Sequence, residues 1–297
     1  MRVGVVDVGA NTLRLLVATR DKRGRIEPIR EERRQLGLGE DLERSEGVIG
    51  EEKLEAAAVV ARAHVRSARK LGAGQVVVLV TSPGRQAVNA SDLLAALRRA
   101  TDCEVRVLDA DEEGSLAWFG AVAAADDLRK TVAVCDVGGG SAQLVVGTTT
   151  DGPTWSRSVD IGSLRLTRRF FRHDPPSARE LAEAATVVRQ SFADVVPPLP
   201  LAAFATGGTA RALRRVVGSK LGEGELATAL RKLSKRSSRE IAKELDVDRA
   251  RARTVTAGAL LLSEAQRRLT VPLMTARGGL REGAALLLLE EAAAAIA

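Results

Sequence analysis

The sequence predicts an α/β protein of two domains that share one strand plan, and three observations carry that expectation. A chain of 297 residues is too long for one ordinary core, while 45% hydrophobic and 28% charged residues is a globular balance. Moving the sequence by 129 positions lays residues 3–19 (VGVVDVGANTLRLLVAT) on 132–148 (VAVCDVGGGSAQLVVGT), with eight of 17 pairs identical. Each half also opens with consecutive β-branched runs and then mixes strand with helical spacing.

Each copy of the repeat reads as an apolar strand, Asp-Val-Gly, two or three small residues and a second strand, which is a hairpin with an acidic residue at its mouth. Glycine in the turn lets main-chain N–H groups approach an anion, and the hydroxyls of Thr12 and Ser141 add donors. Aspartate is depleted inside strands, so Asp7 and Asp136, both beside a glycine at a strand end, point to a shared electrostatic task such as holding a cation. Two such hairpins facing each other would clamp a phosphate group between them.

After the first hairpin, residues 25–35 read as a third strand. Residues 51–71 read as a helix, with Leu54, Ala58, Ala61, Val65 and Ala68 at spacings of three and four. A buried strand at 75–81, a helix at 91–100, a strand at 104–108 and a helix at 109–125 complete the order βββαβαβα, a mixed sheet flanked by helices. In the second half, three strands to about residue 160 precede helices at 161–172 and 177–194. The segment 196–200 (VPPLP) breaks the chain, and a strand at 201–206 runs into Gly207-Gly208-Thr209 and a helix. The remainder is mostly helical, apart from a short strand at 271–275, and ends in a helix at 284–296. The expected domains are 1–126 and 127–280, with 281–297 returning to the first.

Composition narrows the chemistry. Two cysteines (Cys103, Cys135) and two histidines (His64, His173) cannot supply a disulfide framework or a zinc cluster, and no nucleophile motif flanks either histidine. The N-terminus enters a glycine turn where a signal peptide would still be apolar, and no long uncharged run exists, so a cytoplasmic location is expected. Residues 1–126 carry 19 Lys/Arg against 20 Asp/Glu and residues 127–297 carry 26 against 18, so net charges of −1 and +8 place the whole surplus in the second half. Such a surplus attracts nucleic acid, an anionic membrane or a polyphosphorylated molecule. Five Phe, two Trp and no Tyr leave few platforms for stacking bases.

Two stretches have competing readings. Residues 238–250 (SREIAKELDVDRA) have the look of a DNA-binding helix-turn-helix with basic neighbours that would suit a DNA backbone, yet DNA is not expected as a partner. Residues 165–173 (RLTRRFFRH) suit either a solvated helix face or a contact for distal phosphates.

Six motifs in order (DVGANTLRLLV, VTSPGRQAVN, DADEEGSLAWFGAV, DVGGGSAQLVVG, ATGGTARAL and GGLREGAAL) resemble the exopolyphosphatase and guanosine pentaphosphate phosphohydrolase (Ppx/GppA) family. The resemblance implies two RNase H-like domains of the actin-like, sugar kinase and Hsp70 superfamily enclosing a phosphate-binding cleft. It implies Asp7, Gly9, Asn11 and Thr12 as a first phosphate loop, and Asp136 with Gly138, Gly139, Gly140 and Ser141 as a second. Arg85 and Asn89 match phosphate-contacting positions, Glu113 the catalytic glutamate, and Gly207, Gly208 and Thr209 a third glycine turn. Mg²⁺, or Mn²⁺ in its place, would be held by Asp136, with Asp7 and Gln143. A homodimer is expected, and no membrane. Long family members continue into a further helical region that supplies a polymer-holding groove. This sequence is expected to match a short form that prefers short chains.

One departure stands out. The family reads GGGSTE where this chain reads Gly138 to Gln143 as GGGSAQ, so a neutral amide replaces a metal-associated carboxylate. The implied reaction is Mg²⁺-dependent removal of terminal phosphate from polyphosphate by water that Glu113 orients, with Asp111 and Glu112 raising the basicity of Glu113 by like-charge repulsion. The alternatives are guanosine pentaphosphate hydrolysis and a non-catalytic polyphosphate or nucleotide sensor. A small-molecule kinase of the same superfamily is a further reading, for which no Walker loop is present.

Overall fold

The computed structural model describes residues 1–125 and 131–294. The chain divides into two compact units, Met1–Ala124 with Gly278–Ala297, and Ala125–Arg277. The boundary expected between residues 126 and 127, and the last two residues of the expected final helix, lie outside the described residues.

The first unit contains β1 (Val3–Val8), β2 (Thr12–Arg20), β3 (Ile26–Gln35), α1 (Leu38–Arg44), α2 (Glu51–Lys70), β4 (Gln75–Val80), α3 (Ser82–Gln86), α4 (Ala90–Thr101), β5 (Glu104–Val107) and α5 (Ala110–Ala123). Its sheet runs β3-β2-β1-β4-β5, with the first three strands antiparallel and β4 and β5 parallel to β1. Both faces of β1 are buried, which explains its nearly continuous apolar sequence. Val6 and Val8 join the core beneath α2 and α4, while Val3 and Val5 join the other face. Side chains alternate along a strand, so Asp7 continues the Val3–Val5 row at the strand's C-terminal end.

The second unit contains β6 (Thr131–Val137), β7 (Ala142–Thr148), β8 (Gly152–Val159), α6 (Ser163–Phe170), α7 (Ala178–Ser191), β9 (Ala202–Thr206), α8 (Gly207–Val217), β10 (Lys220–Leu221), α9 (Glu223–Leu233), α10 (Ser238–Leu245), α11 (Arg249–Leu269) and β11 (Leu273–Thr275). Its sheet runs β10-β11-β9-β6-β7-β8. Without the two-residue β10, this is the first unit's plan again: an antiparallel triplet followed by two strands parallel to its first member. The repeat in sequence is thus a repeat in topology, and both units have the RNase H-like arrangement. Finally α12 (Leu280–Ala294) packs against α5 in the first unit.

The differences from expectation have local causes. Helix α12 starts four residues before the expected 284, because Gly283 lies inside it as a packing residue. A Cβ at Gly283 would stand 1.9 Å from the Leu116 carbonyl oxygen, and one at Gly120 would stand 2.0 Å from that of Gly279, so α5 and α12 cross backbone to backbone. The short α3 carries Pro83 in its first turn, where the missing N–H costs nothing. The helix-turn-helix-like stretch forms α10 and the start of α11, and α11 is the core helix of its unit, with buried residues from Arg251 to Leu269. Among the described residues no helix is long and apolar enough to cross a membrane.

Candidate active site

In the first unit the β1–β2 hairpin closes through Gly9 N donating to Thr12 O at 3.1 Å, with Asp7 paired in register to Arg14. The loop is braced from outside. Asn11 O accepts from Leu36 N and Gly37 N, Ala10 O accepts from Gly39 N, and Asn11 Oδ1 accepts from Gln35 Nε2 at 3.2 Å. The carbonyls are therefore occupied, whereas the N–H groups of Ala10 and Asn11 donate to no carbonyl among the described residues. A loop with satisfied acceptors and spare donors is an anion cradle. Thr12 Oγ1 accepts from Arg14 Nε at 3.2 Å, which leaves the hydroxyl hydrogen as its remaining donor.

Arg85 projects from α3. Its Nη1 donates to Leu108 O at 2.7 Å and its Nη2 to Glu113 Oε2 at 2.7 Å. The start of α5 is fixed by a capping box between Asp109 and Glu112. Glu113 follows, only 6% exposed. The expected like-charge neighbour is engaged elsewhere: one Glu112 oxygen accepts from Asp109 N and the other from Arg106 Nη2, both at 3.0 Å. The described charged partner of the Glu113 carboxylate is a cation, Arg85.

Asn89 requires a correction. Its Oδ1 accepts from Ile49 N and its Nδ2 donates to Ile49 O, both at 2.9 Å, so the amide ties two loops together instead of facing a phosphate.

The second unit repeats the hairpin. Gly138 N donates to Ser141 O at 3.0 Å, and Asp136 is paired in register to Gln143. The bracing is also repeated, since Gly138 O accepts from Ser163 N and Gly139 O from Leu164 N and Arg165 N at the head of α6. A Cβ at Gly162 would stand 2.3 Å from the Gly139 carbonyl oxygen, so glycine is needed for this approach. The N–H groups of Gly139 and Gly140 donate to no carbonyl among the described residues. Beside the loop, Arg165 is paired with Asp160 at 2.8 Å and Arg169 lies over the Phe170 ring.

Gln143 is 1% exposed. Its Nε2 donates to Ser141 Oγ at 2.9 Å and Ser158 Oγ at 3.4 Å, while its buried Oε1 has no partner. An orphaned carbonyl, a carboxylate and a hydroxyl form an all-oxygen donor set, which fits Mg²⁺ or Mn²⁺ held chiefly by phosphate and water. No group of three or more His, Cys, Asp or Glu that could hold a metal occurs among the described residues. Burial, with Asp136 alongside, pushes the Cys135 thiol up, so this sulfur stays protonated.

The third glycine turn heads α8. Gly207 has φ of +83°, and a Cβ there would stand 2.8 Å from Asp136 Oδ1, so the carboxylate lies against the helix N-terminus. Thr209 is 0% exposed and packs where a Cβ at Gly258 would meet its Oγ1 at 2.6 Å, and that buried hydroxyl has no hydrogen-bond partner among the described residues.

The model of the Ppx/GppA phosphatase family matches residues 16–292. The chain belongs to the Ppx/GppA phosphatase family. Exopolyphosphatase 1 of Mycobacterium tuberculosis is 29% identical over 297 residues, covering 91% of this chain and 83% of that protein. The crystal structure of the Aquifex aeolicus Ppx/GppA family member superposes with a TM-score of 0.82 at 25% identity, covering 99% of this chain and 98% of that one. An exopolyphosphatase structure from Cytophaga hutchinsonii shares the fold, with a TM-score of 0.85 at 22% identity and 98% of each chain covered.

One residue of this Ppx/GppA chain escapes sequence reasoning. Arg251 is 8% exposed, and a Cβ at Gly208 would stand 2.5 Å from its guanidinium carbon. A buried cation thus lies over the positive end of α8, an arrangement suited to anions. Its only signal in the sequence is a charge on the buried side of α11.

Proposed function

We propose that this chain is an exopolyphosphatase-type hydrolase that removes terminal phosphate from inorganic polyphosphate, and the Arg85–Glu113 pair is the observation that carries the reading. A phosphoanhydride is kinetically protected by its own negative charge, so a catalyst must neutralise oxygens and aim a water. The two glycine loops supply spare N–H donors, and Arg85 supplies a guanidinium only 21% exposed in its side chain. Glu113, on the rigid first turn of α5, accepts a proton from water as the new P–O bond forms. The bridging P–O bond breaks, and the leaving chain takes the electron pair on its terminal oxygen.

Asp136 and Gln143 Oε1 are the residues of the second unit that would hold Mg²⁺, which supplies charge neutralisation on nonbridging oxygens when bound. In the first unit the register partner of Asp7 is Arg14, a cation, so Asp7 is the weaker candidate ligand. The relatives named exopolyphosphatase support polyphosphate as the substrate. The test is phosphate release from polyphosphate, guanosine pentaphosphate and ATP with sugars, each with Mg²⁺ and with chelator. Release from polyphosphate that chelator stops is the expected result. Phosphate transfer to a sugar, or binding of polyphosphate without release, would overturn it.

A further inference from the structure

We propose that the first unit binds a small organic cation with an apolar body in a cavity behind the start of α5. The cavity has a volume of ≈ 200 Å³ and lies between β4, β5, α5 and α12. Its walls include Val77, Leu79, Leu116, Phe119 and Leu288. An apolar cavity of about 150 Å³ holds benzene, so this one takes a single ring with a short arm.

The rim decides the ligand's charge. Glu104, Glu112 and Glu291 stand there with a single cation, Arg106. Arg106 serves two of them, Glu112 at 3.0 Å and Glu104 at 3.8 Å, while Glu291 has no ion pair among the described residues. The rim therefore carries two surplus negative charges. It repels phosphates and favours an ammonium, so this ligand class is the reverse of the substrate's.

The cavity is also tied to the candidate catalytic residue. Glu112, Ser115, Leu116 and Phe119 form one stripe of α5, and Glu113 begins the next. Leu108 lines the cavity with its side chain while its main-chain oxygen accepts from Arg85. Glu112 is both rim and cap, because the carboxylate beside the cavity accepts from Asp109 N. An ammonium that competes for Glu112 loosens the turn that holds Glu113. This effect on turnover rests on the phosphatase reading, whereas occupancy of the cavity does not.

The experiment uses the full chain with Trp155→Phe, which leaves Trp118, edge-on to Phe119 at 5.5 Å, as the sole tryptophan. Titration with phenethylamine should give a saturable fluorescence change with Kd of about 1 mM. Phenylacetate, similar in size and opposite in charge, should bind at least about tenfold more weakly. Glu291→Gln should weaken the amine about threefold and leave phosphate release without amine unchanged. Ser115→Phe fills the cavity and should abolish the response, with circular dichroism confirming an intact fold. No saturable response, equal binding of the acid, or undiminished binding to folded Ser115→Phe would overturn the site. Saturating amine should lower kcat about threefold, as partial loss of a cap would, and an unchanged kcat would overturn the link through Glu112. A chain that releases no phosphate from any substrate would sink the phosphatase reading alone, since the titration needs no turnover.

Discussion

Glu113→Gln separates chemistry from architecture in the Arg85–Glu113 pair. The amide keeps the size of the side chain and an oxygen for Arg85 Nη2, so a charge-assisted hydrogen bond of 2.7 Å becomes a neutral-acceptor one. With Arg85 still held by Leu108 O at 2.7 Å, the fold should lose only about 1 kcal/mol. Turnover should fall much further, because an amide cannot take a proton from water: a positioned base is worth about 10² to 10⁴ in rate, roughly 3 to 5 kcal/mol of barrier. Glu113→Ala removes the acceptor as well and leaves Arg85 with a partly buried, uncompensated charge, so its stability loss should rise to about 3 kcal/mol. Steady-state phosphate release on polyphosphate gives kcat and KM, and urea unfolding gives stability. The reasoning fails if the Gln variant keeps its kcat and only KM rises. It fails equally if activity declines merely in step with the folded fraction.

Gly120→Ala should destabilise the first unit by about 3 kcal/mol, since its Cβ would meet the Gly279 oxygen at 2.0 Å and two backbones would have to part; a change within about 0.5 kcal/mol in urea unfolding would show that the crossing relaxes freely. Burial alone would raise the Glu180 carboxyl, but N–H donors from Ser177 and Arg172, with His173, hold it down at about 2 against an ordinary 4.5. The folded value lies below the unfolded one, so this stabilisation is complete above about pH 4.5 and fades as pH falls towards 2. Glu180→Gln should flatten that part of the acid-unfolding curve, and parallel curves for the two proteins would refute the assignment. Gln143→Glu adds a second carboxylate opposite Asp136 and should tighten Mn²⁺ binding about tenfold, read by electron paramagnetic resonance without substrate. Unchanged affinity would place the cation away from Gln143.

The strand plan was legible because it is written twice. Apolar alternation ending in Asp-Val-Gly needs no tertiary information, and the shift of 129 positions carries Asp7 onto Asp136 at matching register positions. What stayed hidden depends on contacts between segments distant in sequence. The role of Asn89 could not be read from its motif, because Ile49, its actual partner, lies 40 positions away. Glu112 looked like a repulsive neighbour of Glu113 until the capping box turned it towards Asp109 and Arg106. The early start of α12 was unreadable for the same reason: a glycine that marks a loop in isolation is, opposite another glycine, a condition for two helices to touch.

The two hairpins preserve geometry and divide chemistry. Their closing hydrogen bonds differ by a tenth of an ångström, 3.1 Å from Gly9 and 3.0 Å from Gly138, and each places an aspartate one residue before the valine that leads into its glycine. The residue across the ladder is what differs: Arg14 stands opposite Asp7 and Gln143 opposite Asp136. The first pair sums to zero charge and the second to one negative charge. A dication gains more beside the second pair, where an unpartnered carbonyl oxygen is also buried. An anion approaching the first loop meets main-chain donors with a guanidinium behind them, and needs no metal to offset the aspartate. In this reading Gln143 is not a damaged copy of a carboxylate. An amide there donates through Nε2 to Ser141 Oγ, whereas a carboxylate at that position could only accept from the serine hydroxyl. Exchanging Gln143 for glutamate would therefore reverse the hydrogen bond to Ser141 as well as add a negative charge across the ladder from Asp136.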